Sequence, residues 1–367
     1  MAEKKGVGAH YDYMILIPVL FLLALGLVGV YSASSHLAAH RVGDSYFYLK
    51  RQAVFCMLGI GVMIMAKNIP CILYSKLVYP LMLMSLGLLV LLLFPGFGYK
   101  VGGATRWIRW AGFSFQPSEF AKLSLVIYMA YSMAKKGSHM EIFSRGLLPH
   151  LTVASIFMLL IVCQPDLGTA VIIGCWVMVL LFVGGARIFH LVSVLLLSAP
   201  VVLWLIWQAD YRVKRWWAFL NPWEDPKGIG FQIIHSFLAF GSGGLFGAGL
   251  GNSKQKLFYL PESHTDFIFS IIAEELGFLG VACIVGLFGV LFFRGIKVAL
   301  GARDLYRSYL ALGLICLMGL QVVVNMGVVT GLLPTKGLSL PFISYGGSSL
   351  VFNLLGVGIL LNISSNN

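Results

Sequence analysis

Five carboxylates stand where apolar sequence surrounds them: Glu119, Asp166, Asp266, Glu274 and Glu275. A charged carboxylate in apolar surroundings is costly, so each needs a partner or a task. Asp266 ends the stretch Leu260-Pro261-Glu262-Ser263-His264-Thr265-Asp266, just ahead of a long apolar run. A carboxylate there can act as a general base toward a hydroxyl group. Equally, Thr265 or Asp266 can cap the free N–H groups of a following helix. Position alone favours the cap. Glu274 comes eight residues later, about 12 Å along a helix and roughly 80° around it. A buried structural pair is the expected role for Glu274 or Glu275.

Other residues offer charge rather than a base. Gln116-Pro117-Ser118-Glu119-Phe120-Ala121-Lys122 opens an apolar run, with Pro117 suited to a first helical turn and Glu119 to its positive end. Glu119 and Lys122 share a helix face, as a structural pair or as a substrate contact. Before them, Arg106 and Arg109 alternate with Trp107 and Trp110 after Gly102 and Gly103. Tryptophans belt a membrane interface, and arginines clamp phosphate in a bidentate way. Gln164-Pro165-Asp166-Leu167-Gly168-Thr169 reads as a short turn with Asp166 as a helix cap. The stretch 331–349 is apolar but broken by Pro334, Pro341 and several glycines, with Lys336, Ser344 and Ser348 inside it. Such backbone at membrane depth is tolerated only inside protein or beside a wet cavity.

What must position these groups is a membrane bundle. The 367 residues are 59% hydrophobic and 11% charged, far from the composition of a soluble domain. Apolar runs fall near 13–34, 50–66, 73–94, 116–134, 146–163, 167–185, 188–207, 265–293, 307–331 and 346–363. The expected fold is an all-α polytopic membrane protein of about ten transmembrane helices, forming one domain over 1–367. The first run is too long for a signal peptide and reads as an uncleaved helix. Ten spans put both termini on one side, and basic residues such as Lys4, Lys135, Lys136 and Arg294 favour the cytoplasm for that side.

The segment 208–264 is then a large extracytoplasmic loop between helices 7 and 8, rich in aromatics and expected to hold interfacial helices. It carries Arg212 and Lys254-Gln255-Lys256, outside cations suited either to an anionic headgroup or pyrophosphate, or to a solvated face. The net charge of +12 comes without basic clusters on a soluble domain, so nucleic acid is not an expected partner. The six cysteines lie in or beside apolar runs and are expected as buried thiols acting as small apolar side chains. No P-loop, dinucleotide fingerprint or Cys/His metal spacing is present. The sequence ends at Asn367, just after the last run, so recruitment is expected through short loops or the amino-terminal segment.

Together the blocks Arg106-Trp107-Ile108, 115–123, 164–169, 260–277 and 331–349 resemble the SEDS family (shape, elongation, division and sporulation) of bacterial inner-membrane peptidoglycan polymerases. Pro334-Thr335-Lys336-Gly337 makes the chain similar to the division branch more than the elongation branch, with the sporulation branch close. The resemblance implies the SEDS fold and a glycosyltransferase that polymerises lipid II during septal cell-wall synthesis. It places the essential aspartate at Asp266, which reverses the preference for a cap. Substrate-binding candidates are Arg106, Trp107, Glu119, Lys122, Arg212, His264, Thr265, Lys336, Ser344 and Ser348. A divalent cation, Mg or Mn, is a candidate cofactor at the pyrophosphate. Expected partners are lipid II, a class B penicillin-binding protein and other division-complex membrane proteins, at the inner membrane of the division septum. Two alternatives from other classes are a lipid II flippase using Glu274, Glu119 and Lys122, and a non-catalytic divisome scaffold.

Overall fold

The computed structural model describes residues 11–101, 104–110, 113–256 and 263–366. Lys4, Gly102, Gly103 and the stretch 260–262 lie outside the described residues. The apolar runs become helices: α1 (Tyr13–Val42), α2 (Phe47–Asn68), α3 (Cys71–Lys76), α4 (Val78–Leu91), α5 (Pro117–Lys136), α6 (Leu148–Cys163), α7 (Leu167–Val183), α8 (Ile188–Trp207), α11 (Ile268–Leu300), α12 (Leu305–Val329) and α13 (Gly347–Ser365). The loop between α8 and α11 adds α9 (Asp210–Leu220) and α10 (Phe231–Gly243). Among the described residues, seven helices have the length and apolar composition to cross a membrane: α1, α2, α8, α11, α12, α13 and the helix reaching α6 from Phe143. α4 and α7 are apolar but shorter. α5 is 20 residues long and carries Glu119, Lys122, Lys135 and Lys136.

Burial sorts these helices. α5 is buried almost continuously from Pro117 to Ala130. It packs against α4 and α12, and α13 packs along α2. α8 lies at the edge, with Leu191 as its one buried residue. The thiols divide in the same way: Cys56 and Cys71 are buried, whereas Cys163, Cys175 and Cys283 are exposed on helix surfaces, contrary to the reading of all six as buried.

Three features depart from the sequence reading. First, residues ahead of α5 form a three-stranded antiparallel sheet: β1 (Tyr99–Val101), β2 (Ala104–Trp110) and β3 (Phe113–Phe115). The Arg/Trp alternation is the period-two signal of a strand. Second, α10 is not only interfacial. Ile233, Ile234, Ser236 and Ala239 are buried, and the helix packs on α11.

Third, α11 is two helices. At 33 residues it would run about 50 Å, well beyond a hydrocarbon core of roughly 30 Å. It breaks at Gly277, which has φ 65° and ψ −166°. The segment 244–249 pairs with the broken strand of backbone: Ala248 N–H donates to Glu274 O at 2.9 Å, and Phe278 N–H to Gly244 O at 2.9 Å. The part 268–276 is thus a buried half-helix, and 278–300 is left to span. The single run read over 265–293 is corrected accordingly. A side chain at Gly277 would be strained by φ, and its Cβ would lie 2.3 Å from Gly247 N. Gly277→Ala is therefore expected to cost about 2–4 kcal/mol. A melting temperature in detergent equal to that of the wild type would refute the tight pairing.

Candidate functional site

Asp266 lies in a run of turns, 263–267, just before the half-helix. The residue is partly exposed. Its Oδ2 lies 3.2 Å from where a Cβ would stand on Gly337, itself exposed. Glycine here lets the 336–338 backbone approach the carboxylate. The free N–H groups opening the half-helix favour negative charge nearby.

Three successive carbonyls beside the carboxylate are held. His264 O accepts from Tyr345 N–H at 3.0 Å. Thr265 O accepts from Ser344 Oγ at 2.6 Å, and Asp266 O from Asn325 Nδ2 at 3.0 Å. Asn325 Nδ2 also donates to Leu338 O at 2.6 Å. Gln52 of α2 holds the other side: its Nε2 donates to Ser344 O at 3.2 Å, and its Oε1 accepts from Gly346 N–H at 3.4 Å. The His264 ring sits 4.7 Å from Tyr48 and 5.8 Å from Tyr345.

A cationic edge adjoins this centre. Arg106 Nε lies 3.6 Å from Asp166 Oδ2, and its guanidinium donates to Pro165 O and, at 3.3 Å, to Gln164 O. Asp166 caps α7 by accepting from Thr169 N–H at 3.1 Å and Thr169 Oγ1 at 2.9 Å. The Lys336 stem lies against Gly168, 3.4 Å from the position of a Cβ there. Burial pushes the Lys336 ammonium below its ordinary range, while Cys175 and Asp166 oppose that shift. Arg106 and Lys336 therefore meet at the α7 turn, and Lys336 precedes the glycine beside Asp266. Trp107 is on β2, paired with Tyr99.

Four helix starts gather here. Ser348, in the first turn of α13, accepts from Gln116 N–H at 3.1 Å and donates to Ser114 O at 3.1 Å, tying α13 to β3 and α5. Lys336 touches the start of α7, and Ser344 joins the approach to α13 to that of the half-helix.

The remaining candidates resolve differently. Ser344 and Ser348 spend their hydroxyls on backbone, so they build the site rather than face a ligand. Arg212 does not join: its Nη1 donates to Leu205 O at 2.6 Å and its Nε to Tyr211 Oη at 2.9 Å, at the far end of α8. Glu119 and Lys122 form a buried ion pair of 2.7 Å, lining a cleft with Gln321, Phe352 and Asn353. Lys256 is neither solvated nor at a headgroup. It forms a buried 2.9 Å pair with Glu275, which also accepts from Ser32 Oγ at 2.6 Å. Glu274 accepts from Ser253 Oγ and from the Lys254 N–H at 3.0 Å, so both glutamates have the structural role expected of them. Gln52, Asn325 and Ser32 were not singled out in the sequence. The amides inside apolar runs were the available signal, since polar groups in spans are costly.

The chain belongs to the FtsW, RodA and SpoVE family of cell cycle proteins, whose family model matches residues 13–367. Within that family it is 49% identical, over 356 residues, to a Geobacter sulfurreducens protein named probable peptidoglycan glycosyltransferase FtsW, covering 97% of this chain and 95% of that one. It is 48% identical to stage V sporulation protein E of Bacillus subtilis, covering 96% of each. The fold matches a chain from a peptidoglycan synthase complex, studied for its coordination of polymerization and crosslinking, with TM-score 0.79, 33% identity and coverage of 97% and 98%. It also matches the rod shape determining protein RodA of Thermus thermophilus, with TM-score 0.71, 31% identity and coverage of 96% of each.

The Lys256–Glu275 pair fastens the 244–256 loop to the half-helix. Lys256→Met strands a buried carboxylate and is expected to cost about 3–5 kcal/mol. Adding Glu275→Gln should recover much of that loss in thermal melting. A double variant no more stable than Lys256→Met would contradict the pair.

Proposed function

We propose that this protein polymerises lipid II into glycan strands, with Asp266 as the general base. One observation carries the assignment. Four of the five carboxylates set in apolar sequence are buried and built into local structure: Glu119 with Lys122, Asp166 with Thr169 and Arg106, Glu274 with the 253–255 turn, and Glu275 with Lys256. Asp266 is the fifth, and it differs from these four in being partly exposed, with its Oδ2 close to an exposed glycine.

The chemistry is a displacement at an anomeric carbon. Asp266 takes the proton of the acceptor GlcNAc 4-hydroxyl. That oxygen attacks the donor MurNAc anomeric carbon, the bond to pyrophosphate breaks, and undecaprenyl pyrophosphate leaves with the electron pair. The leaving group supplies the driving force, so no nucleotide is consumed. Arg106 and Lys336 are the cations placed to neutralise the pyrophosphate, together with the helix starts of α7 and the half-helix. Among the described residues no group of three or more His, Cys, Asp or Glu side chains stands at ligand spacing. A divalent cation, Mg or Mn, would therefore rest chiefly on pyrophosphate oxygens, and no step is assigned to it.

The seven long apolar helices, with α4, α5 and α7, are read as ten spans. Both termini then lie in the cytoplasm and the α8–α11 loop outside, in the inner membrane at the division septum. Kinship with a chain of a synthase complex supports a class B penicillin-binding protein as partner. Arg212, on the exposed α9, is outside the reaction.

The test uses the purified protein with its cognate transpeptidase and labelled lipid II. Asp266→Asn should lower kcat by about 10²–10⁴-fold at unchanged melting temperature. Gly337→Ala, crowding the carboxylate, should lower kcat by about tenfold. Equal polymer from wild type and Asp266→Asn would remove Asp266 as base. No polymer from the wild type would favour transport, which lipid II translocation in liposomes would then decide.

A further inference from the structure

We infer that Asn325 and Gln52 are positioning residues, buried amides that clamp the two non-helical segments beside Asp266 and so aim its carboxylate. The inference rests on the reading of Asp266 as the reactive base. Asp266 sits on a turn, and a reactive group on irregular backbone depends on neighbouring residues for precise placement. Helix hydrogen bonding does not satisfy the carbonyls of 264–266. Their donors are Tyr345 N–H, Ser344 Oγ and Asn325 Nδ2.

Each amide joins parts that are distant in sequence. Asn325 ties Asp266 to Leu338, one residue past the glycine that walls the carboxylate. Gln52 ties α2 to Ser344 and Gly346, whose segment holds His264 and Thr265. Both amides are 1% exposed. An amide inside an apolar helix is costly unless its bonds are made. Asn325 uses two donor bonds on the site, while among the described residues its Oδ1 receives no donor. That arrangement suits a group placed to hold two carbonyls rather than to satisfy itself. The clamped segment is also strained. Phe342 has φ 66°, a region bulky residues rarely adopt and one that persists only where the surroundings enforce it.

Asn325→Leu and Gln52→Met keep approximate size and remove the amide. Both would be made in the full chain, with Asn325→Gln as the conservative control. Hydrogen–deuterium exchange reads the clamp without reference to activity. Amides within 263–270 and 338–346 should exchange about tenfold faster, with the other helices unchanged. In lipid II polymerisation kcat should fall about tenfold while KM holds, and Asn325→Gln should recover part of it. If a helix variant fails to fold, Ser344→Ala removes the bonds that the hydroxyl makes to Thr265 O and Leu340 N–H and must give the same local exchange and kcat loss. Unchanged exchange in these segments overturns the clamp. Faster exchange at full kcat, or a change confined to KM, overturns the positioning role. An inactive wild type would sink the polymerase reading, while the exchange data would still decide the clamp.

Discussion

In a bilayer every backbone N–H and C=O must find its partner within the protein. Around the candidate site this chain leaves the helix in three places: 244–256, 263–267 and 330–346. Each departure is met by a particular donor or acceptor. The first pairs edge to edge with the break at Gly277 and is fastened by Glu274 and Glu275. The second and third hold each other, through Tyr345, Ser344 and Asn325. The polar side chains buried in the bundle are thus largely the means by which irregular backbone is afforded at membrane depth.

The same constraint sorts the carboxylates. A buried acid must be matched, and Glu119, Asp166, Glu274 and Glu275 are matched by cations, hydroxyls or backbone N–H groups. Their charges stabilise local structure and are closed to outside chemistry. Asp266 differs because the helix stops before reaching it and because Gly337 removes the side chain that would cover it. The position proposed for the base is created by an interruption of secondary structure.

Much of this was legible in the residues, because hydrophobic run length is a direct readout of the bilayer. Turn signals at Gln164-Pro165-Asp166 and Gln116-Pro117 marked true helix starts. The strand β2 was also written in the sequence, as the alternation of Arg106, Trp107, Ile108 and Arg109, but an interfacial belt gives the same residue types. The break at Gly277 was hidden, since one glycine in an apolar run is compatible with a straight helix. Its cause is pairing with residues some thirty positions earlier, a non-local fact. Lys256–Glu275 spans 19 residues across a loop, a spacing that no periodicity announces. Gln52 and Asn325 were visible as amides in apolar runs, yet their partners are main-chain atoms, which carry no residue identity to search for.

The gathering of helix starts around the site has a consequence for robustness. Part of the positive potential there comes from peptide dipoles of α5, α7, the half-helix and α13. Peptide dipoles do not titrate, and no single substitution deletes them. Removing one cation at the edge is therefore expected to attenuate the proposed attraction for a diphosphate without abolishing it. On the proposed reading the site can drift in its arginines and lysines over evolutionary time and still attract anions, so long as the four helices keep starting where they do.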